Sequence, residues 1–293
     1  MKTKTWLIIA AVLVVIGAAI FAVASIDGLS TVEYETNIHE VSEAFRDISV
    51  ETDTADITFL PSEDGSCRVV CHEEEQAKHT VSVENRTLHI RVVNEKRWFN
   101  YIGIAFDSPT LTIYLPETDY GTLVIDEDTG DIAIPDAFSF ESVDLSTSTG
   151  DIRIEGAAAD SLDLSVSTGK VTVTDVTCGG DVSIAVSTGD TELRNVTCEN
   201  LVSTGDTGGI SLKNVLAAER FSIERSTGDV HFDSCDAAEI LVTTDTGYVT
   251  GTLRSEKVFL VETDTGSIEV PQSTTGGRCE IRTDTGDIRI EIP

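Results

Sequence analysis

The residues able to do chemistry fall into three groups, and their spacing argues against each group forming a catalytic centre. The largest is acidic. Asp245, Asp264 and Asp284 each precede a Thr-Gly pair, and Asp131, Asp151, Asp190, Asp229 and Asp287 each follow its glycine. Carboxylates repeated at one place could hold calcium or, as pairs, cleave a glycoside. The spacing lacks the G-G-x-G-x-D pattern of calcium-binding β-rolls. Ser148, Ser167, Ser187 and Ser226 fill the same leading place without charge, so turn capping accounts for the acids as well. The second group is Cys67, Cys71, His72 and His79, which has zinc-ligand types but no CxxC pair and no second matched set. No metal is assigned to either group. The third is Cys178 and Cys198, each nine residues past a glycine of the repeat. Stacked in neighbouring repeats they would be near enough to bond, a candidate disulfide whose alternative is two packed thiols. Cys235 and Cys279 fall on apolar columns and read as buried thiols.

Only His231 of the five histidines lies in the regular repeats. There is no G-x-S-x-G, H-E-x-x-H or P-loop. The chain therefore reads as a non-enzyme with no cofactor. A carbohydrate-processing β-helix is the alternative, since such folds use clustered acids, but acids placed by a turn rule do not make a convergent pocket.

A repeat must position all of these residues. Gly130, Gly150, Gly169, Gly189, Gly208, Gly228, Gly247, Gly266 and Gly286 follow one another at 19 or 20 residues, each preceded by Thr. A fixed period of this length marks a solenoid. Seven and five residues before the glycine stand apolar pairs such as Leu123/Ile125, Val143/Leu145 and Phe221/Ile223. Two and four residues after it stand Ile132/Ile134, Ile152/Ile154 and Val230/Phe232. Each flank alternates apolar and polar residues, as a half-buried strand does. One extra copy, Ser203-Thr204-Gly205-Asp206, is out of phase. With Ser or Asp first and Gly third, the corner fits a type II turn. A hairpin meander would need positive φ at Thr as well, which a β-branched residue resists. The expected fold is thus all-β: a single-stranded parallel β-solenoid of 19–20-residue coils. One coil cannot stand alone. Its four or five buried side chains contribute about 1.5–3 kcal/mol each, whereas ordering about 20 residues costs roughly 1–2 kcal/mol apiece.

The flanking segments complete the expected organisation. Residues 1–26 are a cytoplasmic tip and membrane anchor: Lys2 and Lys4 precede an apolar run from Trp6 to Val23, then Asp27, Glu33 and Glu35 follow. That run is long enough to span a bilayer, with the lysines inside and the rest extracytoplasmic. Ala22-Val23-Ala24 also fits a cleavage site, leaving open a cleaved leader. Residues 27–46 read as a polar stalk, with a short helix near Val41–Phe45. Residues 47–122 hold a first coil, with Ala55 in the glycine place, and an antiparallel cap containing strands at Cys67–Cys71, Thr80–Val83, Leu88–Val93 and Leu111–Leu115. Residues 123–293 are the regular solenoid. Trp98, Phe99 and Tyr101 form a candidate interaction patch, basic and aromatic in an acidic chain; plugging the first coil is their other reading. The last coil, ending Ile290-Glu291-Ile292-Pro293, has no cap in sequence and is a candidate for self-association. With 51 acidic residues against 20 Lys and Arg, a net charge of −31, the chain is not suited to nucleic acid. The expected partners are the membrane, through the N-terminal helix, and a protein or glycan.

The repeated S/D-T-G-D-I with strand flanks resembles the bacterial "putative-adhesin" family of β-strand repeats, a domain of unknown function numbered 4097. Asp53-Thr54-Ala55-Asp56-Ile57, Thr110–Pro116 and Asp284–Ile290 carry the likeness, over roughly residues 45 to 293. The resemblance implies a β-solenoid ectodomain on a bacterial envelope protein with one N-terminal span. It supplies no catalytic residues.

Overall fold

The structure, a computed structural model, describes residues 32–94, 108–156 and 160–293. The expected anchor at 1–26 and the patch of Trp98, Phe99 and Tyr101 lie outside these residues. Among the described residues no helix is long and apolar enough to cross a membrane.

The described chain is all-β, with 25 strands. Each coil pairs a long strand with a short one across the Thr-Gly corner. The long strands are β2 (Asp47–Thr54), β8 (Asp119–Thr129), β10 (Ser139–Thr149), β12 (Ser161–Thr168), β14 (Val182–Thr188), β16 (Thr197–Thr207), β18 (Leu216–Thr227), β20 (Glu239–Thr246), β22 (Lys257–Thr265) and β24 (Gly277–Thr285). Their short partners are β3 (Asp56–Pro61), β9 (Ile132–Ile134), β11 (Ile152–Glu155), β13 (Val171–Thr174), β15 (Thr191–Arg194), β17 (Ile210–Lys213), β19 (Val230–Cys235), β21 (Val249–Leu253), β23 (Ile268–Glu269) and β25 (Ile288–Glu291). The end of the stack is completed by β1 (Tyr34–Val41), β4 (Cys67–Glu74), β5 (Ala77–Glu84), β6 (Thr87–Asn94) and β7 (Thr110–Leu115).

Long strands stack in parallel on long strands, and short on short. Val143 pairs with Leu123 on one side and Leu162 on the other, and Ile152 with Ile132 and Val171. The apolar positions therefore form continuous dry columns; Leu123, Leu145, Leu164, Ile154 and Phe221 are all buried. Period-two alternation places these residues inward, and the constant coil length keeps them in register.

The corner is not a type II turn. Such a turn holds its glycine near φ +80°, whereas Gly130, Gly150, Gly169, Gly189, Gly208 and Gly286 lie between 130° and 155°. The chain bends there at a glycine of large positive φ. Crowding adds a second requirement for glycine. A Cβ on Gly150 would sit 1.8 Å from the Gly130 carbonyl oxygen, and one on Gly169 1.9 Å from that of Gly150. A second corner follows the short strand, where Gly156, Asp175, Asn195, Asn214 and Ser234 take left-handed φ of 53–64°. Short polar side chains and glycine tolerate that conformation best.

Stacking order departs from chain order at both ends. β24 lies between β20 and β22, and β25 between β21 and β23. The chain overshoots by one coil and returns to fill the gap. The expected open C-terminal coil is therefore internal, with Ile288 and Ile290 buried. The open end is β22–β23, where Leu260 and Ile268 are 52% and 44% exposed. The other end mirrors this: β2 lies between β6 and β8, and β3 between β7 and β9. β6 and β7 run parallel to the coil beneath them but antiparallel to β5 and β4 above, so the sense of the sheet reverses there.

The stalk and short helix are also corrected. Tyr34–Val41 is a strand antiparallel to β4, and residues 42–46 are irregular. β1 turns Asn37 and His39 toward the interior and leaves Ile38 60% exposed, the reverse of the usual pattern, which hid it from a hydropathy reading. Phe59, Tyr120, Phe138 and Phe140 pack edge-on and stacked beneath this cap, with centroids 5.6–6.4 Å apart.

Candidate functional site

The corner acids serve the stack. Asp131 Oδ1 accepts the Asp151 N–H at 2.8 Å, and Asp151 Oδ1 accepts the Lys170 N–H at 2.7 Å. Asp190 accepts from Gly209, Asp229 from Tyr248 and Asp287 from Ser267, at 2.7–2.9 Å. The bonds from Ser267 hold the Asp287 carboxyl below the usual carboxylate range. Each carboxylate thus clips its own coil to a neighbour, and the set runs along the rod as a ladder. Asp245, Asp264 and Asp284, in the leading place, are exposed. A second ladder runs along the left-handed corner: Asn195 Nδ2 donates to Asp175 Oδ1 at 2.6 Å, Asn214 Nδ2 to Asn195 Oδ1 at 2.7 Å, and Arg254 to Asn214. Its sequence signal is a small polar residue or glycine six places after Gly150, Gly169, Gly189, Gly208 and Gly228.

Two charged side chains lie in the interior column three residues before the corner glycine. Arg225 is 2% exposed. It donates to Glu224 O and Ser203 Oγ, both at 2.8 Å, and to Thr191 Oγ1 at 3.4 Å. No carboxylate among the described residues lies within ion-pair distance, and burial lowers its pKa to about 10. Gly205 faces Arg225 in register, and a Cβ there would meet the guanidinium carbon at 3.2 Å. The out-of-phase glycine is therefore the notch that admits this arginine, and Thr191 and Ser203 break the apolar pattern to bond it. Glu127, also 2% exposed, has Oε1 accepting the Ala55 N–H at 3.2 Å and a partnerless Oε2. Burial pushes its carboxyl up to about 8, aided by Asp56, Asp131 and Asp128.

All six cysteines are buried free thiols. Cys178 and Cys198 do sit in neighbouring coils, with the Cys178 N–H donating to Thr197 O at 2.8 Å, and burial pushes the Cys198 thiol up to about 12. Of the zinc-type residues, Cys71 and His79 come together, joined by Glu73 rather than His72; their ligand atoms all lie within 4.8 Å of one another. His79 Nδ1 lies 2.7 Å from Glu73 Oε2, its Nε2 2.9 Å from Thr52 Oγ1, and Asn37 Nδ2 donates to Glu73 Oε1 at 2.8 Å. His72 instead stacks on Tyr34 at the surface.

Architecture and site together define a repeat scaffold: a parallel β-solenoid whose polar residues are spent on joining its coils. The chain belongs to the Toastrack family, DUF4097, whose family model matches residues 45–291. Among solved structures it is similar to a "putative adhesin" from Parabacteroides merdae, at 10% identity over 88% of this chain and 96% of that one, with a TM-score of 0.55. A "putative adhesin" from Bacteroides fragilis is 13% identical over 88% and 97%, with a TM-score of 0.40. A "putative lipid binding protein" from Parabacteroides distasonis is 12% identical over 88% and 97%, with a TM-score of 0.37. At these identities the likeness concerns the fold. No curated protein matches the chain.

Proposed function

We propose that the chain is a non-enzymatic, membrane-anchored, extracytoplasmic β-solenoid that binds a protein or glycan partner, as an adhesin or as an interaction and sensing module of the cell envelope. The observation that carries this reading is how the acids are used. The carboxylates that could have formed a hydrolytic pair stand one coil apart along the rod, each accepting a backbone N–H. Hydrolysis of a glycoside needs two carboxyls facing one bond from opposite sides, whereas these stand in a single file and each is engaged by the backbone of the next coil. A rigid rod that spends its acids on its own backbone is suited to presenting a surface. The adhesin names of the similar folds agree with this, and the Lys2/Lys4 flank before Trp6–Val23 supplies the anchor with its N-terminus inside.

Two measurements on the full-length chain test the reading. Protease added to intact expressing cells should remove the solenoid, and protection of the domain would refute the topology. Glycan arrays and envelope proteins should be bound by the wild type and less by Trp98→Ala/Tyr101→Ala. Turnover of a polysaccharide would favour the carbohydrate-processing alternative. Absence of any saturable partner would leave a structural spacer.

A further inference from the structure

We propose that Cys71, Glu73 and His79 form a binding site for a zinc-type divalent cation inside the N-terminal cap. Cys71 and Glu73 are two residues apart on β4, so both side chains face inward, and His79 faces them from β5. All three are buried, at 0%, 1% and 5% exposure. A thiolate, an imidazole and a carboxylate are the ligand types of zinc; their ligand atoms lie within 4.8 Å of one another, so side-chain shifts of roughly 1 Å would bring them to the about 3.3–3.8 Å spacing of a tetrahedral zinc shell.

The place in the fold gives the site a purpose. β4 and β5 pair only at Glu74–Ala77; beyond that β4 joins β7 and β1 while β5 joins β6. Among the described residues, no backbone ladder beyond that pair ties β4 to β5. A cation held by β4 and β5 would do so. The outer shell is in position: Asn37 and the His79 N–H donate to the Glu73 carboxylate at 2.8 and 2.6 Å, as partners that orient metal ligands do. On binding through Nδ1, the ring proton resides on Nε2 and is donated to Thr52 Oγ1, and the Cys71 thiol releases its proton to solvent. One thiolate and one carboxylate then neutralise the divalent charge. A cavity of about 70 Å³ lies beside His79 and is lined also by Asp53, Thr54 and Glu74.

The test uses the full-length chain, stripped with chelator and titrated with Co(II) alone and then Zn(II) alone. The expected result is one equivalent of Co(II) with a thiolate-to-cobalt charge-transfer band, displaced by Zn(II). Cys71→Ser should abolish the band, while Cys235→Ser, a buried thiol elsewhere in the stack, should keep it. His79→Gln should weaken Zn(II) affinity by more than about tenfold. A wild-type protein without the band, or a band that survives Cys71→Ser, overturns the proposal and leaves a hydrogen-bonded cluster. If Cys71→Ser does not fold, the wild type and His79→Gln decide: equal Zn(II) affinity in the two overturns it.

Discussion

Replacing Glu127 by glutamine isolates the cost of one carboxyl inside the stack. Glu127 sits in register between Thr52 and Thr147, and the Thr147 hydroxyl, like Glu127 Oε2, is buried without a partner. The carboxyl is pushed from 4.5 to about 8, chiefly by desolvation. The folded state therefore favours the protonated form. Below pH 4.5 the group is neutral in both states and costs nothing. As pH rises from 4.5 the unfolded chain ionises it and the folded chain resists, so stability falls until the folded group ionises near pH 8. At 1.36 kcal/mol per pH unit the full loss is about 5 kcal/mol, of which about 3 kcal/mol is present at pH 7. The replacement amide has the same shape, still accepts the Ala55 N–H and does not titrate. Urea melts of wild type and Glu127→Gln at pH 4.5, 7 and 9 measure the difference, and other titrating groups cancel in it. The curves should coincide at pH 4.5 and separate progressively above it, with the glutamine variant the more stable. Parallel profiles across that range would refute the reasoning.

Three further outcomes follow from the same packing. Gly169→Ala drives a Cβ to 1.9 Å from the Gly150 carbonyl oxygen and should cost about 2–4 kcal/mol through strain and overpacking, measured as a lowered urea midpoint. Gly205→Ala crowds Val186 O at 2.6 Å and the Arg225 guanidinium; its cost of more than about 1 kcal/mol should shrink when combined with Arg225→Met, and a strictly additive double-mutant cycle would contradict the notch. Ile268→Asp on the open coil should cost under about 1 kcal/mol, whereas Ile288→Asp, buried in the inserted coil, should cost about 3 kcal/mol or more; equal melting temperatures would contradict the stacking order.

Much of the fold is legible in the sequence because solenoid packing is local in the repeat. The offsets of Leu123/Ile125 and Ile132/Ile134 about Gly130 state which residues share a column, and the columns are present. The breaks in that pattern were informative too: Thr191, Ser203 and Gly205 spoil three apolar places, and all three surround Arg225. The order of the last coils was not legible. Gly247, Gly266 and Gly286 are spaced like every other pair, and each coil offers its neighbours the same apolar faces, so periodicity cannot distinguish a sequential stack from an interleaved one. Nor could it separate a type II corner from one whose glycine lies at φ of 130–155°, since both select glycine. β1 escaped because it turns the polar Asn37 and His39 inward and leaves Ile38 exposed; Asn37 there donates to Glu73. Of that cluster the sequence offered Cys71 and His79 but not Glu73, which is one acid among many until β4 turns it inward.

The fold is a parallel stack in which the final coil by sequence is inserted beneath the one before it. Engineered cysteine pairs test this directly. Leu241 and Glu280 are lateral partners, as are Leu260 and Glu280, and such neighbours stand about 4.8 Å apart, within disulfide reach. Leu241 and Leu260 lie two coils apart, beyond it. Mild oxidation should therefore cross-link Leu241→Cys/Glu280→Cys and Leu260→Cys/Glu280→Cys, and leave Leu241→Cys/Leu260→Cys reduced. Rapid cross-linking of that third pair, with none between positions 241 and 280, would contradict the fold described.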